Sequence, residues 1–354
     1  MTTKIPVSKP LLPNLNLISE ILKEIDANRI YTNNGPILNR YENLMAEYLN
    51  VPSDRVVILA NATLGLQGSI QTCDAQSWIV PNFTFIATGL SVIQSGRELI
   101  ICDVSTKDWQ LDATLIEKFE NTTGIMPVMP FGAPPDFKKW SNYEYVIIDA
   151  AASLGASKLD LKDIGPEWTI VYSLHATKVL PAAEGCVVVC GSSKKAEKLR
   201  FWANFGFDKS RTTRLIGTNA KMSEYSAAIG LTSLLNHEIE SRDWIQANKI
   251  SLDKKISTYY STPVNNYPGF RPYWILDFKD KQTNNRVIEI LEKNSVGYRK
   301  WWHQPLSAMS IFRDSKFIGG NNSEILADST LGLPMFRDIR QHEVDFINDI
   351  LENV

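Results

Sequence analysis

Cysteine is scarce in this chain: Cys73, Cys102, Cys186 and Cys190 are the only four in 354 residues. None forms a CxxC pair, which argues against a disulfide framework and against paired-thiol metal or redox chemistry. Cys186 and Cys190 bound the apolar run Cys-Val-Val-Val-Cys, a buried strand, so core thiols are expected and no metal site is. An excess of charge of one sign is also missing. There are 37 basic and 39 acidic residues, for a net charge of −2. Neither nucleic acid nor an anionic membrane is therefore expected as a partner, and any bound phosphate must be held locally. Long apolar runs are absent as well. No stretch approaches the roughly 20 residues of a membrane span, and the opening MTTKIPVSKPLLPNL lacks the apolar core of a secretory signal. These absences point to a cytoplasmic protein.

What is present is ordinary globular composition, 44% hydrophobic and 21% charged. The length suggests one large and one smaller lobe. Pro6, Pro10 and Pro13 mark an extended N-terminal arm. Helical patterns follow over 17–25 and 38–49. Short apolar runs then alternate with helices: strands are expected at 56–60, 78–80, 99–102, 124–129, 145–148, 169–172 and 186–190. That alternation implies a mostly parallel sheet flanked by helices, an α/β large domain over residues 1–240. A long helical region over 223–256 leads into a different texture. Strands at 273–278 and 297–302, a helix at 287–291 and a closing amphipathic helix make a small α+β domain over 241–354.

Three features at strand ends carry polar chemistry. They are Asp149 closing Val146-Ile-Ile-Asp149, Ser173 and Lys178 in Ser173-Leu-His-Ala-Thr-Lys178, and the turn Asn61-Ala-Thr63 before a helix. Each alone has a plain structural explanation as a cap, a turn residue or a solvated charge. Together they supply what pyridoxal phosphate requires. That cofactor needs an amine to hold it and a carboxylate for its ring nitrogen. It also needs hydroxyl and backbone N–H donors at a helix start for its phosphate. Phe83 and Phe85 lie nearby as aromatic faces for the ring. In open α/β sheets such groups collect at the carboxyl ends of strands.

Ser173-Leu-His-Ala-Thr-Lys178-Val-Leu-Pro-Ala-Ala-Glu184-Gly185 closely resembles the lysine motif of the DegT/DnrJ/EryC1/StrS sugar aminotransferases. Further matches, in order, are Asn33-Asn-Gly-Pro36, Pro81-Asn-Phe-Thr-Phe-Ile-Ala-Thr88, Ile148-Asp149-Ala-Ala, Asn204-Phe-Gly-Phe-Asp208 and Gly217-Thr-Asn219-Ala-Lys-Met-Ser-Glu224. The resemblance implies a fold-type I, pyridoxal phosphate-dependent (PLP/PMP) enzyme working as a homodimer with active sites at the interface. It implies Lys178 as the Schiff-base lysine and proton carrier, and Asp149 as the partner of the ring nitrogen. Ala62 (through its N–H), Thr63 and Ser173 would hold the phosphate, Phe85 would stack on the ring, and Asn219 would reach the neighbouring subunit's phosphate. Glu184, Lys221 and His175 are weaker substrate candidates; His175 reads mainly as structural and Lys221 as an exposed helix-start lysine.

The same resemblance implies transfer of an amino group from L-glutamate to a keto-sugar nucleotide. The best-matching members convert dTDP-4-keto-6-deoxyglucose to dTDP-4-amino-4,6-dideoxyglucose, for O-antigen (lipopolysaccharide) or related glycan synthesis. A 3-aminotransferase and a cofactor-binding protein without transaminase activity are the alternatives. Relatives that dehydrate sugars include some with His in place of the lysine, and Lys178 argues against that class. Three positions depart from the family pattern: Ala152 replaces a usual Gln or His, Cys186 a usual Gly, and Ser307 a usual His.

Overall fold

The computed structural model describes residues 5–120, 122–134, 136–155, 164–208, 210–265, 271–352 and 354. Its strands are β1 (Val56–Leu59), β2 (Ser77–Pro81), β3 (Glu98–Cys102), β4 (Gly124–Ile125), β5 (Ile147–Asp149), β6 (Thr169–Ser173), β7 (Cys186–Cys190), β8 (Trp274–Asp277), β9 (Lys316–Ile318) and β10 (Thr330–Leu333). The helices are α1 (Leu15–Asn28), α2 (Pro36–Leu49), α3 (Ala62–Gln71), α4 (Ile86–Gln94), α5 (Ala113–Ile116), α6 (Ser193–Ala203), α7 (Glu224–Leu235), α8 (His237–Leu252), α9 (Lys255–Tyr259), α10 (Lys281–Lys293), α11 (Asn322–Ser329) and α12 (Gln341–Leu351).

Strands β4, β2, β3 and β9 form a fully parallel group. Strands β5 and β6 are parallel, and β7 runs antiparallel to both β6 and β1. Parallel bridges from Ile125 to Val146 and from Val128 to Asp149 join the two groups. The sheet is thus mostly parallel and flanked by helices, as its near-continuous apolar strands require. All five residues of both β6 and β7 are buried. The four cysteines are buried and unbridged. Burial pushes the thiols of Cys102, Cys186 and Cys190 up to about 12, so they are inert core groups at neutral pH.

Register decides what meets at the rim of the sheet. Cys186 pairs with Leu59 on one side and with Ser173 on the other. The Asn61 turn, Ser173 and the Glu184 loop therefore arrive at one edge, and Asp149 joins them because it pairs with Val171 of β6. Close packing under this edge needs Gly65. A Cβ there would stand 2.9 Å from Cys186 Sγ and 3.0 Å from Val171 Cγ1. With Gly65 in place, the first turn of α3 presses directly on β6 and β7.

Two of the sequence motifs dock on each other. Glu224, 1% exposed, accepts the N–H groups of Ile37 and Leu38 at 2.8 and 3.1 Å. It thereby caps α2, whose Pro36 follows the turn at Asn33 and Asn34. Gly35 is required beside it, since a Cβ would lie 2.6 Å from the Glu224 carboxyl carbon.

Several expected elements come out differently. The strand expected over 124–129 stops at Ile125, since Pro127 has no N–H to donate to a ladder. No strand forms over 297–302. Arg299 makes one bridge to Gly332, and Trp302 turns the chain with φ 55°. The long helical region is broken near Asn236 and again after Leu252. The division near residue 240 is crossed by β9, which returns to pair with β3. Asp103, at the end of β3, accepts from the backbone of Asn322 and Ser323 and so anchors the start of α11. The antiparallel pair β8–β10 lies outside the main sheet, and the N-terminal arm docks beside it through Ile5–Val296 and Met335–Val7 backbone contacts. Among the described residues, no helix is long and apolar enough to cross a membrane.

Candidate functional site

A cavity of about 790 Å³ opens at the sheet rim. Most residues singled out from sequence line it: Ala62, Thr63, Phe85, Asp149, Ser173, Lys178, His175 and Glu184. Asn219 and Lys221 do not. Asn219 is exposed on the strand-like segment that bridges Asn204. Lys221 is half-buried rather than an exposed helix-start residue; its Nζ donates to Asn204 Oδ1 at 2.9 Å and lies 4.7 Å from the Phe205 ring. Partial burial lowers its pKa from the ordinary lysine value.

Asp149 is 6% exposed at the end of β5. Its Oδ2 accepts from Thr88 Oγ1 at 2.8 Å, and Thr88 is in turn 2.9 Å from the Thr84 hydroxyl. Its Oδ1 accepts a longer bond, 3.3 Å, from the Ala151 N–H. Burial raises the Asp149 pKa above the ordinary aspartate value; the Thr88 bond, the Ala151 N–H and the nearby Lys178 charge oppose this. A buried carboxylate so sparsely compensated, and facing a cavity, is placed to pair with a cationic group of a bound ligand.

Lys178 leaves the sheet on a tight loop. Backbone bonds from Ala182 N–H to Leu174, from Ala176 N–H to Ala183 and from Lys178 N–H to His175 fold that loop back. The side chain crosses the cavity, and its Nζ donates to the Tyr273 hydroxyl at 2.8 Å. Ser173 Oγ accepts the His175 N–H at 3.2 Å, which leaves its own O–H to donate into the cavity. Asn61 caps α3 by accepting the Leu64 N–H at 2.9 Å. The N–H groups of Ala62 and Thr63, at the positive end of that helix, are available to an anion. An amine, a buried carboxylate, a hydroxyl and a helix N-terminus around one cavity fit pyridoxal phosphate.

At the mouth, Phe85 is 59% exposed as the residue before α4. His175 Nε2 lies 3.6 Å from Glu184 Oε1 on the rim, and both side chains are largely solvated. Ala152 lines the cavity without offering a side-chain donor. Ser307 lies off it and donates its backbone N–H to the buried Asn82 at 2.8 Å. Among the described residues no cluster of His, Cys, Asp and Glu is placed to hold a metal.

Several lining or supporting residues escaped the sequence reading. Thr88 holds Asp149, and nothing in its own segment signals a partner 61 positions away. Tyr273, Arg299, Trp301 and Trp302 make the opposite wall. Trp302 stacks on Phe131 at 4.3 Å and meets Phe83 edge-on at 5.0 Å. Nothing local in the sequence joins positions 83, 131 and 302.

Comparison with known proteins places the chain in a family. The model of the DegT/DnrJ/EryC1/StrS aminotransferase family matches residues 16–352. A dTDP-4-amino-4,6-dideoxy-D-glucose transaminase of Shigella dysenteriae is 25% identical over 370 aligned positions, spanning 100% of both chains. One of the same name from Escherichia coli is 26% identical over 98% of each. A solved structure from Bacillus cereus, assigned to the PLP-dependent aminotransferases, superposes with a TM-score of 0.87 at 26% identity. It covers 99% of this chain and 100% of its own.

Proposed function

Because this chain belongs to the DegT/DnrJ/EryC1/StrS aminotransferase family, we propose that it moves an amino group from L-glutamate to a keto-sugar nucleotide. The substrate we assign is dTDP-4-keto-6-deoxyglucose, and the product dTDP-4-amino-4,6-dideoxyglucose. The observation that carries this reading is the meeting of Lys178 and Asp149 in one cavity, supported by the full-length likeness to two transaminases named for that product. Such a product serves O-antigen or related glycan synthesis, in the cytoplasm.

Pyridoxal phosphate, when bound, supplies an electron sink that makes the carbon bearing the amino group acidic. The chain's own groups do the rest. Lys178 Nζ would hold the cofactor and, in each half-reaction, move the proton between the substrate carbon and the cofactor. Asp149 would pair with the ring nitrogen, and the Thr88 hydroxyl holds its orientation. Ser173 O–H and the N–H groups of Ala62 and Thr63 hold the phosphate end, where the α3 dipole favours the charge. Phe85, at the cavity mouth, would cover one face of the ring. The aromatic wall of Trp301, Trp302 and Tyr273 excludes water from the sugar-facing side.

The active unit we assign is a homodimer. Asn219 faces away from this cavity, while Ile216, 88% exposed, and Phe205, 49% exposed, leave apolar surface beside it. A second subunit seated there would place Asn219 against its neighbour's phosphate. Glu184 at the rim is assigned to the sugar side, His175 to a structural role beside it, and Lys221 to the subunit contact.

The test is incubation with L-glutamate and a panel of keto-sugar nucleotides, 3-keto and 4-keto, with NMR locating the new amine. Amination at C4 of the dTDP-4-keto-6-deoxy sugar is expected. Amination at C3, or none with cofactor bound, refutes the assignment.

A further inference from the structure

Tyr273 stands one residue before β8, 95 positions along the chain from Lys178. Its ring is wedged between two others. Phe131 meets it edge-on at 5.7 Å and Trp301 at 5.1 Å, with interplanar angles of 72° and 85°. These contacts fix the direction of the hydroxyl, which lies 2.8 Å from Lys178 Nζ. Among the described residues no carboxylate comes within ion-pair distance of that amine. A lysine stem is flexible and strongly hydrated at its tip, so an uncommitted Lys178 would wander toward the cavity mouth.

We propose that Tyr273 is a positioning residue, holding the Lys178 amine at the cavity centre whenever it is not bonded to the cofactor. The inference rests on the aminotransferase reading in one respect. A lysine that both holds a cofactor and carries a proton must let go during each half of the turnover and still stay near the reacting carbons. The phenol provides a fixed acceptor for it during that interval. It also ties the proton carrier, on the large sheet, to the region around β8. No bond is made or broken at Tyr273, and its role is to shorten the search of the amine for its target.

The test uses the full-length, cofactor-free protein and the variant Y273F, which keeps the ring and its contacts and removes the acceptor. Both are treated with formaldehyde and cyanoborohydride, and methylation is read lysine by lysine by peptide mass spectrometry. Lys195, 1% exposed and donating to Cys73 and Ser69, serves as the internal reference for global loosening. Loss of one charge-assisted hydrogen bond should raise Lys178 methylation about tenfold, with Lys195 unchanged. In the loaded enzyme, Y273F should keep the cofactor band and lower kcat about tenfold, with both KM values within about twofold. Unchanged Lys178 methylation, or an equal rise at Lys195, overturns the proposal. The methylation experiment needs no turnover, so it stands apart from any failure of the aminotransferase reading, which would instead show as wild-type protein that aminates nothing.

Discussion

The two walls of the cavity are built on different terms. The wall contributed by residues 61–184 takes its polar groups from strand ends and a helix start. Asp149 and Ser173 terminate parallel strands, and the Ala62 and Thr63 N–H groups open α3. The facing wall, from residues 272–335, is aromatic, with Tyr273, Trp301 and Trp302 around the single cation Arg299. Arg299 lies over the Trp301 ring at 4.8 Å, so even this charge is spread on an aromatic face. The difference separates two tasks. A sheet rim fixes a few donors and acceptors rigidly, as proton transfer and anion holding require. An aromatic wall offers area and shape, which suits a large planar or sugar-bearing ligand. Chemistry should therefore fail when the first wall is altered or when Tyr273 no longer holds the Lys178 amine, and substrate affinity when the tryptophans of the second wall are altered.

The largest effect is expected at Lys178. Lys178→Ala should lower kcat by on the order of 10³-fold or more, measured with L-glutamate and the 4-keto sugar nucleotide. Asp149→Asn should follow, with kcat lower by roughly 10²-fold, since an amide cannot pair with a protonated ring nitrogen. The same variant sharpens the comparison through pH. The cofactor-free protein binds a proton at Asp149 more tightly folded than unfolded, because burial raises its pKa. Its stability should therefore fall as pH rises from the ordinary aspartate range through the raised value, and then level off. Denaturation of the cofactor-free protein as a function of pH should show that fall, and Asp149→Asn should make it smaller, the buried Glu42 and Glu240 carboxyls contributing the remainder. An equal fall in both proteins would mean that Asp149 is well solvated or already paired.

On the aromatic wall, Trp302→Ala should raise KM for the sugar nucleotide about tenfold, consistent with losing one stacked ring, and leave kcat within about threefold. If kcat falls and KM holds, the division between the walls is broken. Smallest of all, His175→Ala should change kcat/KM by no more than about twofold. Its contact with Glu184 is long and solvated, and such pairs contribute little.

The rim was legible because its groups are local in sequence. Asp149 and Ser173 directly close apolar runs, and the Asn61 turn directly opens a helical pattern, so strand periodicity placed them at the same end of a sheet. The resemblance to a family motif then gave Lys178 its role. Thr88 lies inside the Pro81–Thr88 motif, but its bond to Asp149 spans 61 positions and depends on α4 packing against β2 and β3, which brings it to the end of β5. Tyr273 and Trp302 could not be read at all. Both owe their places to the chain returning after α9, and the expected strand over 297–302 gave way to a turn that sends the two tryptophans inward. Lys221 was misplaced for a similar reason, since its acceptor, Asn204, is supplied by the end of α6.

The most direct measurement is the visible absorption band of the cofactor-loaded protein before and after L-glutamate, in wild type and in Lys178→Ala. The band of the lysine-held cofactor should be present in wild type and bleach on adding glutamate, and should be missing from the variant before any donor is added. A wild-type band that glutamate leaves unchanged, or the same band in Lys178→Ala, would contradict the role given to Lys178.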